Sequence, residues 1–117
     1  MPALHKQAAI IYDACDRVND AGRYAMKAIE LGKLDSITMT LAGKAHINSG
    51  DLQEAVRYLQ EALKLNPNNL QARFYFAQLM KKTGQKDSAR QNLEEILWAK
   101  TETPLKVKAR REIQALS

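Results

Sequence analysis

SITMTLAGKAHINSGDLQEAVRYLQEALKLNPNN, residues 36–69, is answered one register later in the same chain. The turn NSGDLQEA around Gly50 and the turn KTGQKDSA around Gly84 lie 34 residues apart. Their flanks agree in that register: Ala42-Gly43 with Phe76-Ala77, Ala55 with Ala89, Leu59 with Leu93, and Ala62 with Ile96. A fixed period of this length marks a repeated supersecondary unit and takes precedence over any local reading. Within one copy Leu41, Ala42, Ala45 and Ile47 recur at helical spacing, and Leu52, Ala55, Val56, Leu59 and Leu63 form a stripe on a second helix. Gly50 and Gly84 stand where a helix must end with positive φ, which is cheap only without a Cβ. Asp51 and Asp87 fall at or near the start of the next helix, where a carboxylate accepts backbone N–H groups and suits the helix dipole. Asn66-Pro67-Asn68-Asn69 closes the unit with a proline that cannot continue a helix.

This unit resembles the tetratricopeptide repeat, whose pattern is W-x2-L-G-x2-Y, then A-x3-F, then P. The pattern positions read Met39, Ala42, Gly43, His46, Ala55, Leu59 and Pro67. Residues 70–103 repeat it with Arg73, Phe76, Ala77, Met80, Ala89 and Leu93, and with Thr101 in place of the proline. The resemblance implies an all-α fold of about seven helices, with antiparallel hairpins stacked into a right-handed superhelix. Gly43, Ala55, Ala77 and Ala89 then mark places where two helix backbones approach too closely for a larger side chain.

Extending the register backwards predicts a degenerate unit at residues 2–35, with Ala8, Ala9 and Tyr12 on its first helix and Ala21, Ala25 and Ala28 on its second. Asp16 occupies the place of the turn glycine and Gly22 falls inside the expected second helix, so the turn is expected at Asn19–Gly22. Extending forwards, Thr103-Pro104 supplies an N-cap and a first-turn proline for a helix over 104–116. There Leu105, Ala109, Ile113 and Leu116 step along one face, and Lys106, Lys108, Arg110 and Arg111 are expected outward. This segment resembles the capping helix that covers the last repeat of such arrays, with Trp98 expected to pack at the junction. The whole chain is thus read as a single domain, either complete or a fragment of a longer array.

Composition agrees. Hydrophobic residues make up 45% of 117, enough to bury a core, and the abundant Ala, Leu, Lys, Glu and Gln lose least on entering a helix. The single Cys15 has no disulfide partner and is expected to act as a small buried hydrophobe. No basic leader precedes a long apolar run, and no apolar run reaches membrane-spanning length, so a soluble module of cytoplasm or periplasm is expected. The formal charge is +5, and all of the excess lies beyond residue 69, with four basic and one acidic side chain in 104–117 alone.

Catalytic chemistry is hard to place. The only histidines, His5 and His46, take the pattern's packing Trp and Tyr positions. No phosphate loop, metal-binding spacing or nucleophile–base pair is present, so neither an enzyme nor a cofactor or metal site is expected. Nucleic-acid contact through the basic C-terminal helix is an alternative, weakened because no aromatic residues alternate with its cations.

The family resemblance implies that the first helices of successive hairpins line a groove that binds a partner. The corresponding positions give Lys6 and Ile10, then Ile37, Thr40, Leu41, Lys44, Ile47 and Asn48, then Gln71, Phe74, Tyr75, Gln78, Lys81 and Lys82. The carboxylate clamp of chaperone adaptors is similar in placing Lys and Asn on this face. Here only Lys6 is kept, with Ile10, Leu41, Gln71 and Tyr75 in the other clamp positions, which disfavours a chaperone-tail receptor. The expected peptide-binding groove is Lys6, Thr40, Lys44, Asn48, Phe74, Tyr75, Gln78 and Lys82, taking a protein or peptide with apolar and acidic groups. The function read from this is a non-catalytic protein-interaction scaffold, by analogy one of a bacterial assembly or secretion complex. The alternative is a self-associating module, because Leu4, Ala8, Ile11 and Cys15 share a helical face that calls for either upstream repeats or a second chain.

Overall fold

The computed structural model describes residues 2–99 and 103–116, and among them it has seven helices and no strand. They are α1 (Pro2–Ala14), α2 (Val18–Glu30), α3 (Ser36–Ser49), α4 (Leu52–Leu65), α5 (Leu70–Lys82), α6 (Lys86–Leu97) and α7 (Pro104–Leu116). Thr101, at the place of the missing proline, lies outside the described residues. Each helix packs on its neighbours in sequence, and α1, α3, α5 and α7 also touch one another in order, whereas α2, α4 and α6 do not. The array therefore curves with the first helices of the hairpins on its inner side. This is an all-α helical-repeat solenoid.

The period is written into the caps. Asp35, Asn69 and Thr103 precede α3, α5 and α7, and each side chain accepts a backbone N–H of the first turn, from Thr38 at 2.8 Å, Ala72 at 3.1 Å and Leu105 at 3.3 Å. The hairpin turns repeat as well. Arg17 N–H donates to Tyr12 O, Asp51 N–H to His46 O and Gln85 N–H to Met80 O, at 2.9, 2.9 and 2.8 Å. The residue before each donor has positive φ: Asp16 at 58°, Gly50 at 86° and Gly84 at 82°.

The first turn is thus at Asp16, not at Asn19–Gly22, which lie within α2. Gly22 serves close packing instead: a Cβ there would collide with the Cβ of Ala45 on α3. Gly43 is similar, since a Cβ would sit 2.7 Å from Leu59 Cγ. Ala55, Ala77 and Ala89 are all buried. Leu59, Leu79 and Ile96 are the largest fully covered apolar side chains, and they mark a core that runs along the array rather than a single centre.

Three expectations for single residues do not hold. Trp98 is 68% exposed, beside Pro67, Asn68, Arg73 and Glu95 rather than under α7. Ala89, Leu93 and Ile96 define the inward face of α6, and a residue two places past Ile96 is carried to the opposite side of the helix. Ile96 and Leu97 make the junction with Leu105, Ala109, Ile113 and Leu116. Lys106 is buried, not outward, because it lies one turn before Ala109 on the face turned to the core and its methylene stem is covered. Cys15 is exposed, since it stands beyond the last residue of α1, on the edge of the turn.

Candidate functional site

On the inner side, between the C-terminal half of α3, the stretch of α5 from Phe74 to Lys82 and the start of α2, lies a hollow of about 240 Å³. It is lined by Val18, Lys44, Ile47, Asn48, Phe74, Tyr75, Gln78 and Lys82. The spacing that places them is helical. Lys44, Ile47 and Asn48 share a face of α3, as Phe74, Tyr75, Gln78 and Lys82 do on α5, at separations of three and four. Six of the eight residues expected of a groove meet here: Lys44, Asn48, Phe74, Tyr75, Gln78 and Lys82.

Thr40 and Lys6 do not. Thr40 is 2% exposed and its hydroxyl donates to Ser36 O at 2.7 Å while accepting from Asn69 Nδ2 at 3.1 Å. Lys6 pairs with Asp35 at 2.8 Å, on a different part of the surface with Leu34, Ile37 and Leu65. The two residues hold the same place in successive units, and each reaches the N-cap of the next first helix. That position faces the joint between units rather than the groove. At the joint burial alone would raise the pKa of Asp35, but the Lys6 ammonium and the bonds from Thr38 outweigh this and hold the carboxyl below its usual value. Leu41 is buried as well and turns its side chain to the core.

Within the hollow the aromatic rings differ in role. Phe74 is 7% exposed and packs with Ala77, Leu93, Ile96 and Ala109, so it is mainly a core residue whose edge reaches the cavity. Tyr75 meets it edge to face at 5.5 Å and is only half-buried. Lys44 is held on two sides. Its Nζ bonds Asp13 Oδ1 at 2.7 Å and lies 5.1 Å from the centre of the Tyr75 ring. Burial by itself would lower its pKa, but the bond to Asp13 and the interaction with Tyr75 dominate and raise it above the ordinary lysine value. Asn48 Nδ2 donates to Asn19 Oδ1 at 3.0 Å.

Asp13–Lys44 belongs to a ladder. Lys81 Nζ bonds Glu112 Oε2 at 3.0 Å between α5 and α7, and this pair occupies the same two repeat positions with the charges exchanged. The rung between them falls on Ile47 and Gln78, which form no ion pair and both line the hollow. Asp13 and Val18 were not anticipated from the sequence. Asp13 was legible in principle, because Lys81 and Glu112 repeat its relation to Lys44 in register.

The histidines pack as the pattern implies. His46 Nδ1 donates to Ala42 O at 2.7 Å with its ring 5.2 Å from that of Tyr58, and His5 lies 6.2 Å from Tyr24. Among the described residues no cluster of three or more His, Cys, Asp or Glu has a metal-binding arrangement, and no helix is long and apolar enough to cross a membrane. On α7 the exposed cations are Lys108, Arg110 and Arg111.

Comparison with solved structures finds the same architecture in proteins of low sequence identity. Crystal structures of MamA superpose with TM-scores of 0.81 and 0.79 at 21% and 19% identity, covering 98% of this chain in each case. This chain spans only 66% and 61% of those two chains. The TPR domain of Arabidopsis OM64 matches at TM-score 0.80 and 13% identity over 97% of this chain and 94% of its own. The Yersinia enterocolitica type III secretion translocator chaperone SycD, in an alternative dimer, matches at 0.81 and 17% over 98% and 90%. No curated protein matches. A family model described as tetratricopeptide repeat matches residues 46–105, just over half of the 117. Together with the 34-residue register of caps and turns, this match means that the chain belongs to the tetratricopeptide repeat family.

Proposed function

We propose that this chain is a non-catalytic protein-interaction scaffold that receives a segment of a partner on its inner face, burying one apolar side chain in the hollow between α3 and α5. The observation that carries the reading is the convergence of Ile47, Phe74 and Tyr75 with the polar Asn48, Gln78 and Lys82 around one concave site. Apolar walls with a few placed polar groups are what a side-chain pocket requires. The family supports protein partners in general and leaves the particular partner to the site.

The test starts from a partner captured on the immobilised protein and confirmed with purified components. Ile47→Ser with Tyr75→Ala should weaken its binding at least tenfold while leaving helicity intact. Unchanged affinity would remove the hollow from the interface. Phe74 is a poor choice for such a test, because its removal damages the core.

A second reading, self-association, rests on α1. Leu4 is 64% and Ile11 60% exposed, whereas the register equivalents of Leu4, Thr38 and Ala72, are fully buried, and those of Ile11, Ala45 and Leu79, are half-buried and fully buried. That face is proposed to be covered by a second copy. Sedimentation equilibrium should then show a dimer in the wild type that Leu4→Lys with Ile11→Lys dissociates, and a wild type that stays monomeric at high concentration rules this out.

A further inference from the structure

Resting on the groove reading, we propose that Gln78 and Lys82 together receive the side-chain carboxylate of an acidic residue in the bound segment, next to the apolar residue that fills the hollow. In this arrangement Lys44 is a positioning residue.

The argument comes from what is already engaged. Of the lysines on the inner helices near the site, Lys44 is bonded to Asp13 and lies over Tyr75, and Lys81 is bonded to Glu112. Asn48 is bonded to Asn19. The side chains of Gln78 and Lys82 have no hydrogen bond or ion pair within the described structure, and both line the hollow. They stand one helical turn apart on α5, so the amide and the ammonium point to the same side. An amide N–H and an ammonium one turn apart suit the two oxygens of one carboxylate.

The ladder explains why the site falls here. The outer rungs, Asp13–Lys44 and Lys81–Glu112, satisfy their own charges across the groove floor. The middle rung pairs Ile47 with Gln78, which leaves an apolar floor and an amide with no partner. A ligand that brings an apolar group and a carboxylate completes this rung. The hollow lies in the middle of the four inner helices, so a segment seated there can continue past both outer rungs. That favours an internal acidic side chain over a chain terminus.

The probes are acetylated, amidated decapeptides of Gly and Ser carrying one Leu, with Glu one to three residues after it. Controls carry Gln for Glu, Ala for Leu, or a free C-terminus in place of the Glu side chain. Binding is read by titrating the isotope-labelled protein and following the amide signals of α3 and α5. The best Leu/Glu peptide should bind about fivefold more tightly than its Gln counterpart at low salt, the size of a partly solvated charge-assisted contact. Lys82→Gln should bring that ratio to about one, while Lys44→Gln lowers both affinities together and keeps the ratio. A preference for Glu that survives in Lys82→Gln, disappears in Lys44→Gln, or is met only by the free C-terminus overturns the proposal and leaves the apolar groove standing. If the Ala peptides bind as well as the Leu peptides, or no peptide moves the α3 and α5 signals, the groove reading falls with it.

Discussion

Lys44 and Asp13 bond at 2.7 Å across the contact between α1 and α3, with both side chains about one-fifth exposed. The bridge ties the degenerate first unit to the full second one. Asp13→Asn keeps an acceptor oxygen but removes the negative charge from beside a largely covered ammonium, and should cost about 1–2 kcal/mol in urea denaturation at neutral pH. The pH dependence has a definite sign. The pKa of Lys44 is raised above the ordinary 10.5, so the contribution of the bridge is fully present below that value and is lost as the pH climbs through the raised one. The stability difference between wild type and Asp13→Asn should therefore be constant from about pH 7 to about pH 9 and shrink above 10.5. A difference that stays constant into strong alkali would mean that the Lys44 charge is not what holds the two helices.

Asn69 is a cap whose side chain makes three hydrogen bonds. Its Oδ1 accepts from Ala72 N–H at 3.1 Å, and its Nδ2 donates to Ser36 Oγ at 2.8 Å and Thr40 Oγ1 at 3.1 Å. Ser36 Oγ in turn donates to Ala62 O at 2.8 Å, so one amide links α3, α4 and α5. Asn69→Ala removes the cap and the donor to two buried hydroxyls, which keep their own bonds to Ala62 O and Ser36 O, for a loss of about 1–2 kcal/mol. Asn69→Asp keeps the capping oxygen and loses the donor, and should fall between alanine and wild type. If Asp proves as damaging as Ala, the network rather than the cap carries the effect.

Much of the fold was legible because the repeat register reports backbone needs that recur. Gly50, Gly84 and the close-packed small residues stand at fixed places whatever the surroundings. The first hairpin was misread because glycine has two uses. At Gly22 the missing side chain makes room for Ala45 on the next helix, while the turn falls to Asp16, a residue that tolerates positive φ. For the site, the register brought six residues to one hollow but could not tell a groove position from a joint. Thr40 and Lys6 bond to the next N-cap, which becomes visible only when the spacing between units is known. Which lysines are already paired went unread, because Asp13 lies on another helix from Lys44 and only the register relation to Lys81 and Glu112 points to it.

Gly22 gives a test whose sign separates the two uses. In an ordinary helix interior, glycine to alanine stabilises by about 0.5–1 kcal/mol. Here the new methyl meets Ala45 Cβ on α3, and neither helix can yield without opening the α2–α3 contact. Gly22→Ala should lower stability by about 1–3 kcal/mol, the usual range for overpacking. Gly22→Ala combined with Ala45→Gly should recover most of the loss. A single variant more stable than wild type would refute the close approach.

Asp16 tests the other half of the same reading. Its φ of 58° lies in the left-handed region, and Arg17 N–H closes the turn onto Tyr12 O just as Asp51 and Gln85 close theirs after Gly50 and Gly84. A non-glycine residue costs about 1–2 kcal/mol in this conformation, less for Asp, whose short side chain is tolerated there. Against relief of that strain stand the greater freedom of glycine in the unfolded chain and the loss of a carboxylate two residues before the first turn of α2, worth a few tenths of a kcal/mol. Asp16→Gly should still come out stabilising by about 0.5 kcal/mol, and Asp16→Val, which is β-branched, should lose about 1 kcal/mol or more. Thermal melts of the two variants beside wild type decide it: a midpoint that falls for glycine and holds for valine would place the first turn elsewhere than at Asp16.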